Sequence, residues 1–212
     1  MYDAGFNANL PGWSGLIDLR NSGEVNVSTP GSNLDSADTI IQNLTNNEVN
    51  LSGCNSATSQ CPVIVFKRFQ DDNVSNYGYG KAYIDGVTDH NYSYTVDRNG
   101  STDQLFFQDS ATAILFNKNK PVIYLHEHYD LVHSAYALVP SGACTSFFND
   151  CDLNLTYNYQ PWYGESYKGA TSSILLENLS LFRFSKLDGV ITIEICAHDE
   201  NNVSHCRQKA IF

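Results

Sequence analysis

Six cysteines in three close pairs constrain this chain more than any other feature. They stand at Cys54 and Cys61, Cys144 and Cys151, and Cys196 and Cys206, with six, six and nine residues inside the pairs. The spacing predicts local bridges, Cys54–Cys61, Cys144–Cys151 and Cys196–Cys206. The first two close short polar loops, and the third ties a hairpin across its two strands. Structural zinc is disfavoured, because its ligands usually stand two to four residues apart. Bridges of this kind, each worth roughly 2–4 kcal/mol or less for short loops, belong to an oxidising compartment.

The rest of the composition supports that placement. Of 212 residues, 23 are acidic and 12 basic, for a net charge of −11. Such a balance excludes nucleic-acid binding through a basic surface, which needs clustered Lys and Arg. Polarity comes mainly from 22 Asn, 21 Ser and 12 Thr, residues that favour turns and strands over long helices. No apolar run approaches the roughly 20 residues of a membrane span, and residues 1–10 do not read as a signal peptide.

Asn-x-Ser/Thr occurs at Asn26, Asn43, Asn50, Asn73, Asn91, Asn99, Asn154, Asn178 and Asn202. Seven of these nine have an acid two residues earlier: Glu24, Glu48, Asp71, Asp89, Asp97, Asp152 and Glu200. Composition alone predicts roughly one such case. The D/E-x-N-x-S/T pattern resembles the acceptor of the periplasmic N-glycosylation pathway of Campylobacter-like bacteria. Asn26, Asn50, Asn73, Asn91, Asn99, Asn154 and Asn202 are therefore the expected glycan acceptors, on exposed loops.

Along the chain, the turn at Thr29-Pro30-Gly31 and a cap at Ser32 or Asn33 precede Leu34, Ala37, Ile40, Ile41 and Leu44 at helical spacing. This predicts a helix near 34–45. Strands are predicted over 62–68, 104–107, 111–116, 121–128 and 131–139, and a short helix or strand over 174–179. The stretch 140–170 reads as loop-rich. At the C-terminus, 181–185, 190–197 and 203–212 read as strands joined by turns at 186–189 and 199–202. Ile191, Ile193 and Ile195 alternate with polar residues, which predicts one buried face. With Phe182, Phe184, Ile211 and Phe212 they are expected to form the rigid heart of a single domain spanning 1–212, one that loss of the last four residues would unfold.

Few residues carry a recognisable catalytic pattern. His126 and His128 share one face of a predicted strand and could meet a metal, with Asp130 or His133 nearby. The bland reading, a solvent-facing polar edge, is preferred. No nucleophile elbow, phosphate loop or dinucleotide fingerprint occurs. Tyr77, Tyr79, Tyr159, Trp162 and Tyr163 could stack on a sugar, although such residues more often pack loops. The expectation is no catalytic residue, no metal and no cofactor.

The segments 175–184, 189–196 and 206–212 resemble the end of minor pilins and pseudopilins, subunits of type IV pilus, type II secretion and DNA-uptake machines. Thr29-Pro30-Gly31-Ser32-Asn33-Leu34 and 127–137 are also similar to those proteins, closest to the J-type or W-type minor subunits. The resemblance implies an α+β fold: mainly antiparallel sheet with a short N-terminal helix, a pilin-like globular domain stapled by local disulfides. It also implies a lost hydrophobic helix that anchors the subunit in the inner membrane before assembly. Partners would be other pilin or pseudopilin subunits, with secreted cargo or a host surface at the filament tip, and the location periplasm or cell surface. Some relatives bind Ca²⁺, for which Asp71, Asp72, Asp85 and Asp89 form an acidic stretch. Filament assembly is thus the expected function. A surface adhesin or glycan-binding module is the alternative, and a metal hydrolase using His126 and His128 a third.

Overall fold

A computed structural model describes residues 12–23, 25–54, 60–66, 93–108, 126–144, 150–187 and 190–211. The predicted strand over 111–116, residues 121–125 of the strand predicted over 121–128, the acidic stretch at Asp71, Asp72, Asp85 and Asp89, the acceptors Asn73 and Asn91, the acid Glu24, and Tyr77, Tyr79 and Phe212 lie outside the described residues. Residues 126–128 precede the strand Tyr129–Val132 with only an isolated bridge at His128. The chain divides into two compact units, one of residues 1–135 and 160–166, the other of 136–159 and 167–212.

The first unit carries the main hydrophobic core. Its strands β1 (Asn26–Ser28), β2 (Val63–Phe66), β3 (Tyr94–Asp97), β4 (Gln104–Phe107) and β5 (Tyr129–Val132) form one antiparallel sheet in the order β1-β4-β3-β2-β5. Helix α1 (Leu34–Leu44) starts where Asn33 accepts a hydrogen bond from the Ser36 N–H at 3.2 Å. Leu34, Ala37 and Ile41 recur on its buried face and join Val27, Val49, Leu51, Ile64, Phe66, Val96, Leu105 and Tyr129 in the core. Asp38 is buried on the same helix. Its carboxylate accepts from the Leu51 N–H at 2.8 Å and from Gln42 Nε2 at 2.9 Å, so a charge inside the unit holds the loop after the helix. Arg98 lies 3.5 Å from Asp38 and 2.6 Å from Asp35, which ties that loop and helix to the end of β3. The Cys54–Cys61 bridge joins two buried cysteines beside this core.

The second unit holds two further sheets. One has the order β6-β7-β8, from Ala135–Ala143, Asp150–Tyr159 and Thr171–Leu176. The other has the order β11-β10-β9, from Ser204–Ile211, Val190–His198 and Leu179–Leu187. Both pairings of the second sheet are antiparallel. Its apolar core is small: Cys151, Leu153 and Leu179, with Leu176, Phe182 and Ile195 packed against them.

Three expectations are corrected here. The α+β, pilin-like domain is overturned, because the strands divide among three separate antiparallel sheets and α1 is the one α-helix among the described residues. The Asn-, Thr- and aromatic-rich composition favours strands, and among the described residues it leaves one short α-helix, whose apolar face joins the core of one sheet. The loop-rich reading of 140–170 fails at β7, a ten-residue strand. The C-terminal strands are not the heart of the fold: Phe184 is 73% exposed, Ile191 is 39% exposed, and every residue from Ser204 to Ala210 is exposed. Alternation gave Ile191, Ile193 and Ile195 a common face as expected, but only the end of that face near Ile195 meets the small core.

All three local disulfides are present: Cys54–Cys61, Cys144–Cys151 and Cys196–Cys206. Three closed bridges belong to an extracytoplasmic, oxidising environment. Among the described residues no helix is long and apolar enough to cross a membrane.

Candidate functional site

The described acceptor asparagines differ sharply in setting. Asn50 sits between buried Val49 and Leu51, and its N–H donates to the Gln60 carbonyl at 3.0 Å. Asn154 lies within β7, where Nδ2 donates to Ser141 Oγ at 2.8 Å and Oδ1 is enclosed. Asn26 is paired within β1, with Nδ2 donating to Gln104 Oε1 at 3.1 Å. Asn99 is exposed at φ 44°, but the acid two residues earlier, Asp97, is buried and accepts the Asn99 N–H. Asp152 accepts the Asn178 N–H at 3.2 Å. In both cases the acid is engaged with backbone, Asp97 locally as Asp is in turns and Asp152 across to the loop between β8 and β9.

Asn202 is different, because residues 200–204 are all exposed. It occupies the turn between β10 and β11 at φ 60°. Asp199 Oδ1 accepts from the Asn201 and Val203 N–H groups, each at 2.9 Å, and Asp199 Oδ2 lies 3.1 Å from His205 Nε2. The Val203 N–H first, then the His205 bond, holds the Asp199 carboxyl below the ordinary Asp value. The turn is thus fixed while Glu200 and Asn202 remain open to solvent.

His126 and His128 do come together, with ring centres 5.4 Å apart. His126 Nδ1 already accepts the His128 N–H at 3.0 Å, leaving Nε2 as its remaining ligand atom. Neither belongs to a group of three possible metal ligands among the described residues. The group that does form is Glu194, Cys196 and Cys206, whose sulfurs are consumed in a disulfide.

The three described aromatic candidates, Tyr159, Trp162 and Tyr163, are committed to packing and hydrogen bonds. Tyr159 and Trp162 are buried, Trp162 Nε1 donates to the Cys61 carbonyl at 3.1 Å, and Tyr163 Oη accepts the Cys61 N–H at 2.9 Å. A buried hydroxyl cluster joins Thr29 Oγ1 to Tyr129 Oη and Ser32 Oγ, each at 2.7 Å, and to Ser14 Oγ at 3.1 Å. No carboxylate or imidazole is among its hydrogen-bond partners in the described residues, so it fixes structure and has no base to activate a nucleophile.

The feature with the strongest claim to function is the β9-β10-β11 sheet. Directly paired residues share a face. The pairs Lys186–Ile191, Phe184–Ile193–Lys209 and Phe182–Ile195–Arg207 therefore line one side. On the other side Arg183 Nε lies 2.6 Å from Glu194 Oε2. The first face combines a row of large apolar groups with three cations in a chain of net charge −11. Phe184, 73% exposed, and Ile191, 39% exposed, lie toward its uncovered end. The sequence reading missed this surface by treating the isoleucines as buried. The signal was Arg207-Gln208-Lys209, alternating cations on an edge of an acidic protein. No family model, curated protein or solved structure matches the chain.

Proposed function

We propose that this chain is a non-catalytic assembly subunit of an extracytoplasmic complex, acting by docking to other proteins. The observation that carries the reading is the uncovered apolar and basic face of β9-β10-β11. A monomer rarely leaves such a contiguous apolar surface open without a partner for it. The disulfides suit an exported protein whose folded surface must persist outside the cell.

In its specific form, the complex is a filament of minor pilin or pseudopilin subunits, as the sequence patches over 175–184, 189–196 and 206–212 suggest. That form needs an apolar assembly helix. The full-length gene tests it: a leader ending in Gly, then Phe-Thr-x-x-Glu and an apolar helix of about 20 residues, supports it. The broader reading is tested by cross-linking the native protein in its cells and sizing the product. Recovery in a multi-subunit particle supports assembly, and recovery solely as a monomer contradicts it.

A further inference from the structure

We propose that the free edge of β11 accepts an extended acidic segment of a partner protein as an added strand. The inference rests on the assembly reading and names the chemistry of the partner.

The edge is available. β11 is the outer strand of its sheet, and among the described residues no strand pairs with its far side. The Cα atoms of Cys196 and Cys206 are 4.0 Å apart, which marks a non-hydrogen-bonded antiparallel pair. The N–H and C=O of Cys206 therefore point away from β10. Alternation places the backbone groups of Ser204, Gln208 and Ala210 on the same open edge. Each of these four residues is exposed. A row of unsatisfied strand groups is a template for another strand.

The charges select the occupant. Arg207 and Lys209 project from β11 on the face that also carries Lys186. Glu194, the one acid within the described residues of these three strands, lies on the opposite face with Arg183. A second copy of β11 is a poor fit. Antiparallel self-pairing centred on Gln208 sets Arg207 against Lys209 twice, and centring on either cation sets it against itself. Like charges directly opposite each other destabilise a pair. A strand with Asp or Glu at alternate positions reverses the sign at the same two sites. Ile193 and Phe184, one and two strands further in, remain for apolar side chains of the same partner.

The test uses the intact 212-residue chain. The probe is a ten-residue peptide alternating Glu with Val and Tyr, compared with its Lys-for-Glu counterpart. Amide exchange is followed by NMR. The acidic peptide is expected to slow exchange at Ser204, Cys206, Gln208 and Ala210 at least tenfold, and the basic peptide to leave it unchanged. The double variant Arg207→Glu/Lys209→Glu, at exposed positions, should invert that preference while the amides of β2 and β3 stay as they were. Equal protection by both peptides, binding without protection of these four amides, or binding of phosphatidylglycerol vesicles in place of the peptide would overturn the proposal. Concentration-dependent self-protection of β11 would overturn it too. If the native particle is intact while these amides still exchange freely, the edge inference fails and the assembly reading stands. If the protein is a monomer in its cells yet the acidic peptide protects β11, the edge stands and the assembly reading fails.

Discussion

Tyr129 is fully buried in the first unit, and its phenol survives burial because Thr29 Oγ1 meets it at 2.7 Å. Burial pushes its pKa up, while the bonds to Thr29 and Ser32 pull the other way. An unfolded Tyr ionises near pH 10. Since the folded pKa is higher, the stability it contributes is complete below about pH 10 and is lost as pH rises through the folded pKa. Tyr129→Phe is expected to cost about 1 kcal/mol at neutral pH, from the lost hydrogen bond. It should also flatten the loss of stability above about pH 10. Urea denaturation of both proteins at pH 7 and pH 10.5 checks both parts. The acceptor asparagines give a second prediction at this scale. When the folded chain is glycosylated in vitro by a transferase that reads D/E-x-N-x-S/T, peptide mass mapping should find glycan at Asn202. It should find none at Asn154, whose Oδ1 is enclosed within β7. Asn202→Gln should then remove the glycan on that peptide.

Elements with strong local chemistry were legible, and elements that depend on neighbours were not. Helix α1 was legible because a capping Asn precedes a clean apolar spacing, and the observed Leu34–Leu44 ends one residue short of the predicted span. The hairpin of β10 and β11 was legible because its alternating isoleucines and the Asp199 turn are local signals. Strand β7 was not. Cys151, Leu153, Leu155, Tyr157 and Tyr159 alternate perfectly, yet the intervening Asp, Asn and Thr favour turns when taken singly. Pairing with β8, and a register shift at Leu153/Asn154, override that preference. The depth of burial of β9, β10 and β11 was also illegible, since alternation defines a face but not what covers it. Because β11 contributes nothing to the core of the first unit, truncation after Gln208 should leave that unit's melting temperature within about 1 °C. A calorimetric scan checks this, and a fall of many degrees would return the C-terminal strands to the centre of the fold.

At the scale of the whole molecule, apolar burial is unevenly distributed. Among the described residues the core cluster of the first unit has fourteen buried members and that of the second unit three, which predicts a difference in local stability. The candidate site was only half legible for the same reason. The sequence revealed the alternating isoleucines but not that their face stays open, since the exposure of Phe184 and of 204–210 depends on what packs over the sheet, and no described residue of the second unit covers that outer half. A thin core beneath an exposed apolar face suits an element that is completed by a partner. Native-state hydrogen exchange on the free, intact chain tests this most directly. The account predicts the slowest amides in β2, β3 and β4, with fast exchange at Ser204, Cys206, Gln208 and Ala210. Slowest exchange in β10 and β11, with protection on the outer edge of β11, would contradict it.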